Sequence, residues 1–420
     1  MKITSLNTFV IAARLIISLF VQRALAIAVG EVGIAKIGVI RNLLQILTST
    51  SSLGVFNGVV KYVSEFSDDN KKLSDLFSTT FVFVCIGSFI TSLVMFFGSS
   101  WISFKLFNDL DFIWLIKLLA FLPLVVGVNR IFHGIVNGLS EYKKYAKIDL
   151  LGYILSVILL LICLYFSNIE GVLFAITITP IIQLIVLIYI FGSVLKKYCQ
   201  IVYFKLKFPY AKELLAFALM SFVSTILINY IELDIRTMIT NRINIIEAGH
   251  WTAINFISKN YMSFSSGIFT LYVIPKFARI YDKQGFFKEV LYIYKTLLPL
   301  FGIGMLLVYI FRNIIIDLIY PNFVGMEPLF KWQLMGDFVR LATLVLAHQF
   351  LAKKMVISFV FSELFSLLIF YVAAYYLTDI YGVEGVVLGH FIRSFALLIV
   401  VFTLVMIKFN SKKNTNSVKH

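Results

Sequence analysis

Residues 148–193 read IDLLGYILSVILLLICLYFSNIEGVLFAITITPIIQLIVLIYIFGS. Two apolar runs, 148–167 and 171–193, meet at the short link around Asn168. Each is long enough to cross a bilayer as a helix, which takes about 20 residues. The rest of the chain repeats this theme. Of its 420 residues 60% are hydrophobic and 14% charged, with a mean hydropathy of +0.93. Soluble domains hold roughly 45–50% apolar and about 25% charged residues, so a soluble enzyme carrying a single anchor is excluded.

The apolar runs predict an all-α polytopic membrane protein of about twelve spans, at 5–28, 34–60, 76–99, 113–138, 148–167, 171–193, 212–236, 248–274, 289–311, 328–350, 355–377 and 384–408. The loops between them are short and leave no room for a separate globular domain. Lys2 leads into a run that continues past Val29 without a small-residue cleavage pattern, so no cleavable signal peptide is expected. Cys85 and Cys163 fall in apolar runs and Cys199 in a basic loop, with no disulfide framework or metal-ligand spacing.

The formal net charge is +15. A basic chain can bind nucleic acid, but here the lysines sit between the apolar runs, where orientation in a bilayer requires them. No nucleic-acid partner is expected. With the N-terminus in the cytoplasm, the cytoplasmic segments carry Lys61, Lys71 and Lys72, then Lys143, Lys144 and Lys147, then Lys196, Lys197, Lys205 and Lys207. They continue with Lys276, Arg279, Lys283 and Lys288, with Lys353 and Lys354, and with the Lys-rich tail 411–420. The opposite loops hold little beyond Lys36, Lys105, Arg242 and Arg312. Both termini are therefore expected in the cytoplasm.

An internal repeat organises the spans. Glu31-Val32-Gly33 matches Glu247-Ala248-Gly249, Gly54-Val55-Phe56 matches Gly267-Ile268-Phe269, and Ile169-Glu170-Gly171-Val172 matches Val383-Glu384-Gly385-Val386, at offsets of 213–216 positions. Six spans return the chain to its starting side. The halves are then parallel copies about a pseudo-two-fold axis along the membrane normal. The long basic loop 194–211 marks the joint, giving lobes 1–200 and 201–410 and a tail 411–420.

Cations inside the spans set the expected chemistry. Arg14, Arg23, Arg41, Arg130, Arg236, Arg340 and Arg393 lie in apolar runs, where each costs about 2.5–3.5 kcal/mol unless it faces water or a partner. So many predict a cationic, water-filled interior and an anionic cargo. Helical spacing groups the polar residues: Arg41, Gln45, Thr48 and Ser52; Asn129, Arg130, His133 and Asn137; Thr225, Asn229, Glu232 and Arg236; Asn255, Lys259, Met262 and Ser266; and Asp337, Arg340 and His348. Each stripe has a plainer reading. Ser, Thr and Asn bond neighbouring helices. Glu232 and Arg236, or Asp337 and Arg340, can neutralise each other. Arg23, Lys61 and Arg236 lie near span ends and can snorkel. Catalysis finds little support. Asp109-Leu110-Asp111 sits in a short outer loop, His133, His348 and His390 occupy separate helices, and there is no phosphate-binding glycine loop. No cofactor is expected.

Three segments carry a family likeness: Gly54-Val55-Phe56-Asn57-Gly58-Val59-Val60-Lys61-Tyr62-Val63; Trp332-Gln333-Leu334-Met335-Gly336-Asp337 followed by Arg340; and Glu247-Ala248-Gly249-His250-Trp251 with Leu271-Tyr272-Val273-Ile274-Pro275. The whole chain resembles the polysaccharide flippases of the multidrug/oligosaccharidyl-lipid/polysaccharide exporter superfamily. Within it, the likeness is to the O-antigen translocase and enterobacterial common antigen lipid III flippase group. The resemblance implies a two-lobed, twelve-helix transporter of MATE-like fold in the bacterial inner membrane. It would move an undecaprenyl-pyrophosphate-linked oligosaccharide to the periplasmic leaflet by alternating access. It places basic residues at Arg14, Arg23, Arg41, Lys61, Arg236 and Arg340, which would hold the diphosphate or acidic sugars, and acidic ones at Asp337 and Glu363. Arg130, His133 and Lys259 join the substrate-binding set by helical face alone. Glu232, Asp337 and Glu363 are the carboxylates expected to couple transport to an ion gradient. Membrane lipid and polysaccharide polymerase or chain-length assembly proteins are the implied partners. Rival readings are a multidrug exporter of the same fold and an O-antigen polymerase-type membrane enzyme. A drug exporter's usual cationic cargo calls for lone acidic groups, and a polymerase for a large periplasmic loop.

Overall fold

The computed structural model describes residues 2–198 and 209–417, and among them helix is the only regular structure. Cys199, Lys205 and Lys207 of the expected joint lie outside the described residues, as do residues 418–420 of the expected tail. The chain divides into two compact units, Met1–Thr237 and Met238–His420.

The first unit begins with α1 (Lys2–Ser51), which is two helices joined end to end across Gly30, whose φ of 60° interrupts the helical path. Span two was expected to reach residue 60. Instead the helix stops at Ser51, because Leu53 and Gly54 both take positive φ, and it resumes as the short α2 (Phe56–Glu65). The Asp69 carboxylate then accepts from the backbone N–H groups of Lys71 and Lys72 and caps α3 (Asn70–Phe97). After α4 (Ser99–Phe107), α5 (Ile113–Ala120) and α6 (Pro123–Gly138) form one span bent by 50°. Pro123 explains the bend, since it cannot continue a preceding helix. α7 (Tyr142–Tyr198) holds two spans around a break at Ser167 and Asn168. α8 (Ala211–Ser221) passes through a π-helical turn, Phe222–Leu227, into α9 (Ile228–Arg242). The unit boundary after Thr237 groups α8 and most of α9 with the N-terminal helices, whereas the basic loop had placed them in the second lobe. The core of this unit gathers Val59, Val63, Leu76, Val136, Leu187 and Leu214.

The second unit comprises α10 (Ile245–Ile268), a π-helical turn Phe269–Val273, α11 (Ile274–Arg279), α12 (Lys283–Ile310), α13 (Arg312–Ile319), α14 (Leu329–Ala352), α15 (Val356–Tyr381) and α16 (Val383–Ser417). α14 is its most buried span and packs on α16, α12 and α10. Phe277, Phe286, Leu341, Val345, Phe350 and Val405 form the core.

Among the described residues, eight helices are long and apolar enough to cross a membrane, or nine with α5 and α6 taken as one span. Splitting α1 and α7 at their breaks and adding α10 gives twelve segments, compatible with the expected spans. Side chains such as Phe89, Phe97, Tyr189 and Ile357 stand exposed on their outer faces, as lipid contact requires.

The repeat has a physical basis at two turns. Asn168 adopts φ 49°, ψ −129°, and Gly382 adopts φ 59°, ψ −143°, at equivalent positions 214 residues apart. Three residues on, Gly171 lies so near the Cys163 carbonyl that an added Cβ would sit 2.2 Å from its oxygen. Gly385 stands in the same relation to the Leu377 carbonyl, also at 2.2 Å. Glycine is required at both because a backbone carbonyl occupies the space a side chain needs.

Candidate functional site

In the first unit, the turns of α1, α6 and α7 bring a set of cations together. Arg14 forms an ion pair with Asp149 and lies 4.8 Å from the ring centre of Tyr153. Tyr145, Asp149 and Tyr153 are spaced by four and share one face of α7. Tyr145 lies within electrostatic reach of Arg14, Arg130 and Asp149, and Tyr153 within reach of Arg14 and Arg41. The Arg130 guanidinium stacks 3.7 Å from the Phe56 ring, and His133 meets Tyr145 edge-on at 5.6 Å. Around Tyr145, two guanidinium groups, Arg14 and Arg130, stand with one carboxylate, Asp149. Arg14 keeps 41% of its side chain exposed and Asp149 32%, and Arg130 is exposed as well. Cations this accessible on membrane helices belong beside water. An exposed ion pair of this kind contributes about 0–1 kcal/mol, so Arg14 can exchange Asp149 for another anion at little cost.

The other expected cations are arranged differently. Arg236 is only 3% exposed. It donates to Asn42 Oδ1 at 2.9 Å, while Asn42 Nδ2 donates to Glu232 Oε2 at 2.9 Å and to Asn229 Oδ1 at 3.0 Å. This network ties α1 to α9 and leaves Arg236 buried. Lys61 stands on α2, beside Glu65 at 3.9 Å and over the Tyr62 ring at 4.4 Å. Thr48 bonds back to the Leu44 carbonyl within α1, and Ser52, just past its end, to the Thr48 carbonyl. Arg23 is half-buried, Lys259 exposed on α10, and Arg340 half-buried on α14. Arg393 lies over the Phe370 ring at 4.7 Å. His348 stacks on Phe269 with ring centres 4.5 Å apart and contacts the Leu344 carbonyl.

Asp337 is the most enclosed carboxylate of the second unit, with no exposed surface. Its Oδ2 accepts from Ser258 Oγ at 2.6 Å, from the Tyr261 hydroxyl and from Gln333 Nε2 at 3.2 Å; its Oδ1 faces His390 Nε2 at 3.0 Å. Arg340, one turn along, is not among these partners. The expected Asp337–Arg340 neutralisation is thus replaced by hydroxyls, an amide and an imidazole drawn from α10, α14 and α16. Glu363 is half-buried on α15, with no hydrogen bond or ion pair among the described residues. No group of three His, Cys, Asp or Glu side chains among the described residues could hold a metal.

The structure therefore brings together Arg14, Arg41, Arg130 and His133, and separately Asp337 with His390. Sequence reasoning missed Asp149, Tyr145, Tyr153, Asn42 and Tyr261. The four-residue spacing of the first two with Tyr153 is a signal the helical-face rule could have caught.

The model of a family described as polysaccharide biosynthesis protein matches residues 33–322. The chain belongs to this family. The match takes in Arg41, Lys61, Arg130, His133, Glu232, Arg236 and Lys259. Among individual proteins, the lipid III flippase of Escherichia coli (strain K12) is 24% identical over 370 residues, covering 87% of this chain and 88% of that protein. The lipid III flippase of Shigella flexneri gives the same figures. Two solved structures establish the fold. One is an inward-facing multidrug resistance MATE family transporter of the MOP superfamily, with TM-score 0.77, 12% identity and coverage of 98% and 99% of the two chains. The other is the lipid II flippase MurJ in an inward closed conformation, with TM-score 0.71, 16% identity and coverage of 100% and 91%. Transporters, not enzymes, supply these likenesses.

Proposed function

We propose that this family member is a flippase. It moves an undecaprenyl-pyrophosphate-linked oligosaccharide, such as an O-antigen repeat unit, from the cytoplasmic to the periplasmic leaflet of the bacterial inner membrane, with both of its own termini in the cytoplasm. The observation that carries the reading is the water-accessible excess of arginine around Arg14 and Arg130. Guanidinium groups present paired N–H donors that match phosphate oxygens, so a pyrophosphate would displace Asp149 and gain charge-assisted hydrogen bonds. The similarity to lipid III flippases supports the same class of cargo. Arg23, Arg41, Lys61, Lys259 and Arg340 would line the route of the head group, and Arg236 would act by fixing α9 against α1.

Alternating access between lobes 1–200 and 201–410, around a central cationic cavity on the pseudo-two-fold axis, is the mechanism this reading adopts. Asp337 is the first choice for a coupling carboxylate, since His390 gives it a second titratable group within hydrogen-bond distance. Glu363 and Glu232 follow. Polymerase and chain-length proteins would receive the product. A multidrug exporter is the second reading because the fold is also that of MATE transporters, but the arginine cluster would repel a cationic drug.

Complementation tests the proposal. Expressed in a strain lacking its own O-antigen or common-antigen flippase, the chain should restore surface glycan and clear accumulated lipid-linked precursor. Arg14→Ala protein that still reaches the membrane should lose this. Resistance to cationic dyes without any glycan restored would overturn the flippase reading in favour of the exporter.

A further inference from the structure

A cavity in the first unit has no part in the chemistry above. It measures about 760 Å³ and lies among α1, α3, α4, α8 and α9, within the roughly 300–1,000 Å³ usual for ligand pockets. Its walls are aliphatic and aromatic along almost their whole length. Val94, Leu219, Tyr230 and Trp101 line it while keeping much of their own surface open, so the groove opens toward the lipid phase. One end is marked by Gly54, packed against Ser221. The other end carries the charged pair Lys105 and Asp234, 4.0 Å apart, with Lys105 also 5.2 Å from the Trp101 ring centre.

The residues are ordered by depth. The groove runs from Gly54 back to Leu43 on α1, from Gly87 forward to Met95 on α3, and from Leu215 forward to Asp234 on α8 and α9. In the orientation adopted above, each of these paths runs toward the periplasmic face, so the charged end stands at the outer head-group level. Tryptophan and lysine are the side chains suited to that level. Lys105 and Asp234 keep 37% and 24% of their side chains exposed, so their pairing is weak enough to yield to phosphate.

The helix between this groove and the arginine cluster is two-faced. Arg41, Gln45 and Thr48 share one face of the second half of α1, while Leu43, Ile46, Leu47 and Thr50 lie on the opposite face and line the groove. A molecule with a charged head and a long apolar tail matches both surfaces of this one helix.

We propose that the groove is a release site for the cargo's tail. It takes the polyprenyl chain of the translocated carrier, with Lys105 at the phosphate and the chain lying between α3 and α8. This inference rests on the lipid-linked cargo proposed above.

Photo-crosslinking of the full chain in nanodiscs tests it, using a benzophenone-tagged polyprenyl phosphate and a diazirine-tagged phosphatidylglycerol. The polyprenyl probe should label peptides spanning 43–54 and 215–234. Excess polyprenyl phosphate, but not excess phosphatidylglycerol, should remove the label. Leu219→Trp and Val94→Trp fill the groove at positions 52% and 61% exposed in the folded chain, so they should fold and cut labelling about tenfold. Lys105→Gln should weaken it severalfold. Equal labelling by phosphatidylglycerol, competition by it, or unchanged labelling in both Trp variants would overturn the proposal and leave a groove filled by bulk lipid. If labelling fails while complementation succeeds, the groove falls alone. If complementation fails while labelling holds, the transport reading falls and a polyprenyl site remains.

Discussion

The arginine cluster of the first unit and the Asp337 cluster of the second solve opposite problems. Around Arg14, Arg130 and Asp149 the charges are mismatched in number and open to water. Around Asp337 a single carboxylate is sealed from water, and Ser258, Tyr261, Gln333 and His390 supply its partners. Unmatched, hydrated charge contributes little to stability and is free for a ligand. A buried carboxylate with every oxygen occupied holds helices together and is costly to disturb. The contrast predicts that the arginine cluster can be altered with little loss of stability, whereas Asp337, the proposed coupling carboxylate, also holds its helices together.

The largest effect should come from replacing Arg14 and Arg130 together with Ala. Two charge-assisted contacts of roughly 1.5–3 kcal/mol each are lost, so glycan transport should fall about a hundredfold or more. The thermal unfolding midpoint in detergent should move by only a few degrees. Asp337→Ala should do the reverse in the unfolding assay. It leaves buried donors on three helices without an acceptor, at about 1–3 kcal/mol for each group left unpaired, and should lower the midpoint well beyond the double arginine variant. Asp337→Asn, which keeps the shape and one acceptor oxygen, should recover part of that loss. Equal midpoint shifts in the arginine and Asp337 variants would erase the distinction.

Asp149→Asn sharpens it. Releasing Arg14 from its partner should raise the affinity for inorganic pyrophosphate severalfold, measured by calorimetry, with stability changed by under about 1 kcal/mol. The smallest effect lies outside both clusters, at the cap of α3. Hydrogen bonds from the Lys72 and Lys71 backbones hold the Asp69 carboxyl below its ordinary pKa of 3.8. A depressed carboxyl adds stability above its unfolded pKa and loses it as pH falls through the folded value. The small advantage of the natural chain over Asp69→Ala should therefore persist at pH 6–8 and shrink progressively as pH falls below about 4, followed by the unfolding midpoint.

Much of the architecture was legible because bilayer crossing leaves a strong pattern in one dimension. The apolar runs located the spans, and Ile169-Glu170-Gly171 against Val383-Glu384-Gly385 disclosed the repeat, since the tight turns at Asn168 and Gly382 demand a glycine three residues on. Helical spacing also found the Arg130 and His133 face. What it could not reach were partners from distant helices. Asp149 lies 135 positions from Arg14, Asn42 lies 194 from Arg236, and His390 lies 53 from Asp337. A helical wheel shows where a side chain points along its own axis and nothing of what waits there. For the same reason the tie from Arg236 to Asn42 could not be read from the α9 stripe. The break after Ser51 was missed because Leu53 carries a positive φ that leucine does not advertise.

The turns at Asn168 and Gly382 have a mechanical consequence. With no room even for a methyl group between Gly171 and the Cys163 carbonyl, or between Gly385 and the Leu377 carbonyl, backbone packs directly on backbone at the tip of each hairpin. Close packing of this kind transmits strain, which favours each helix pair tilting as one piece. Compliance then falls to joints elsewhere, and the π-helical turns at Phe222–Leu227 and Phe269–Val273 are where a residue of slack is already wound into the helix.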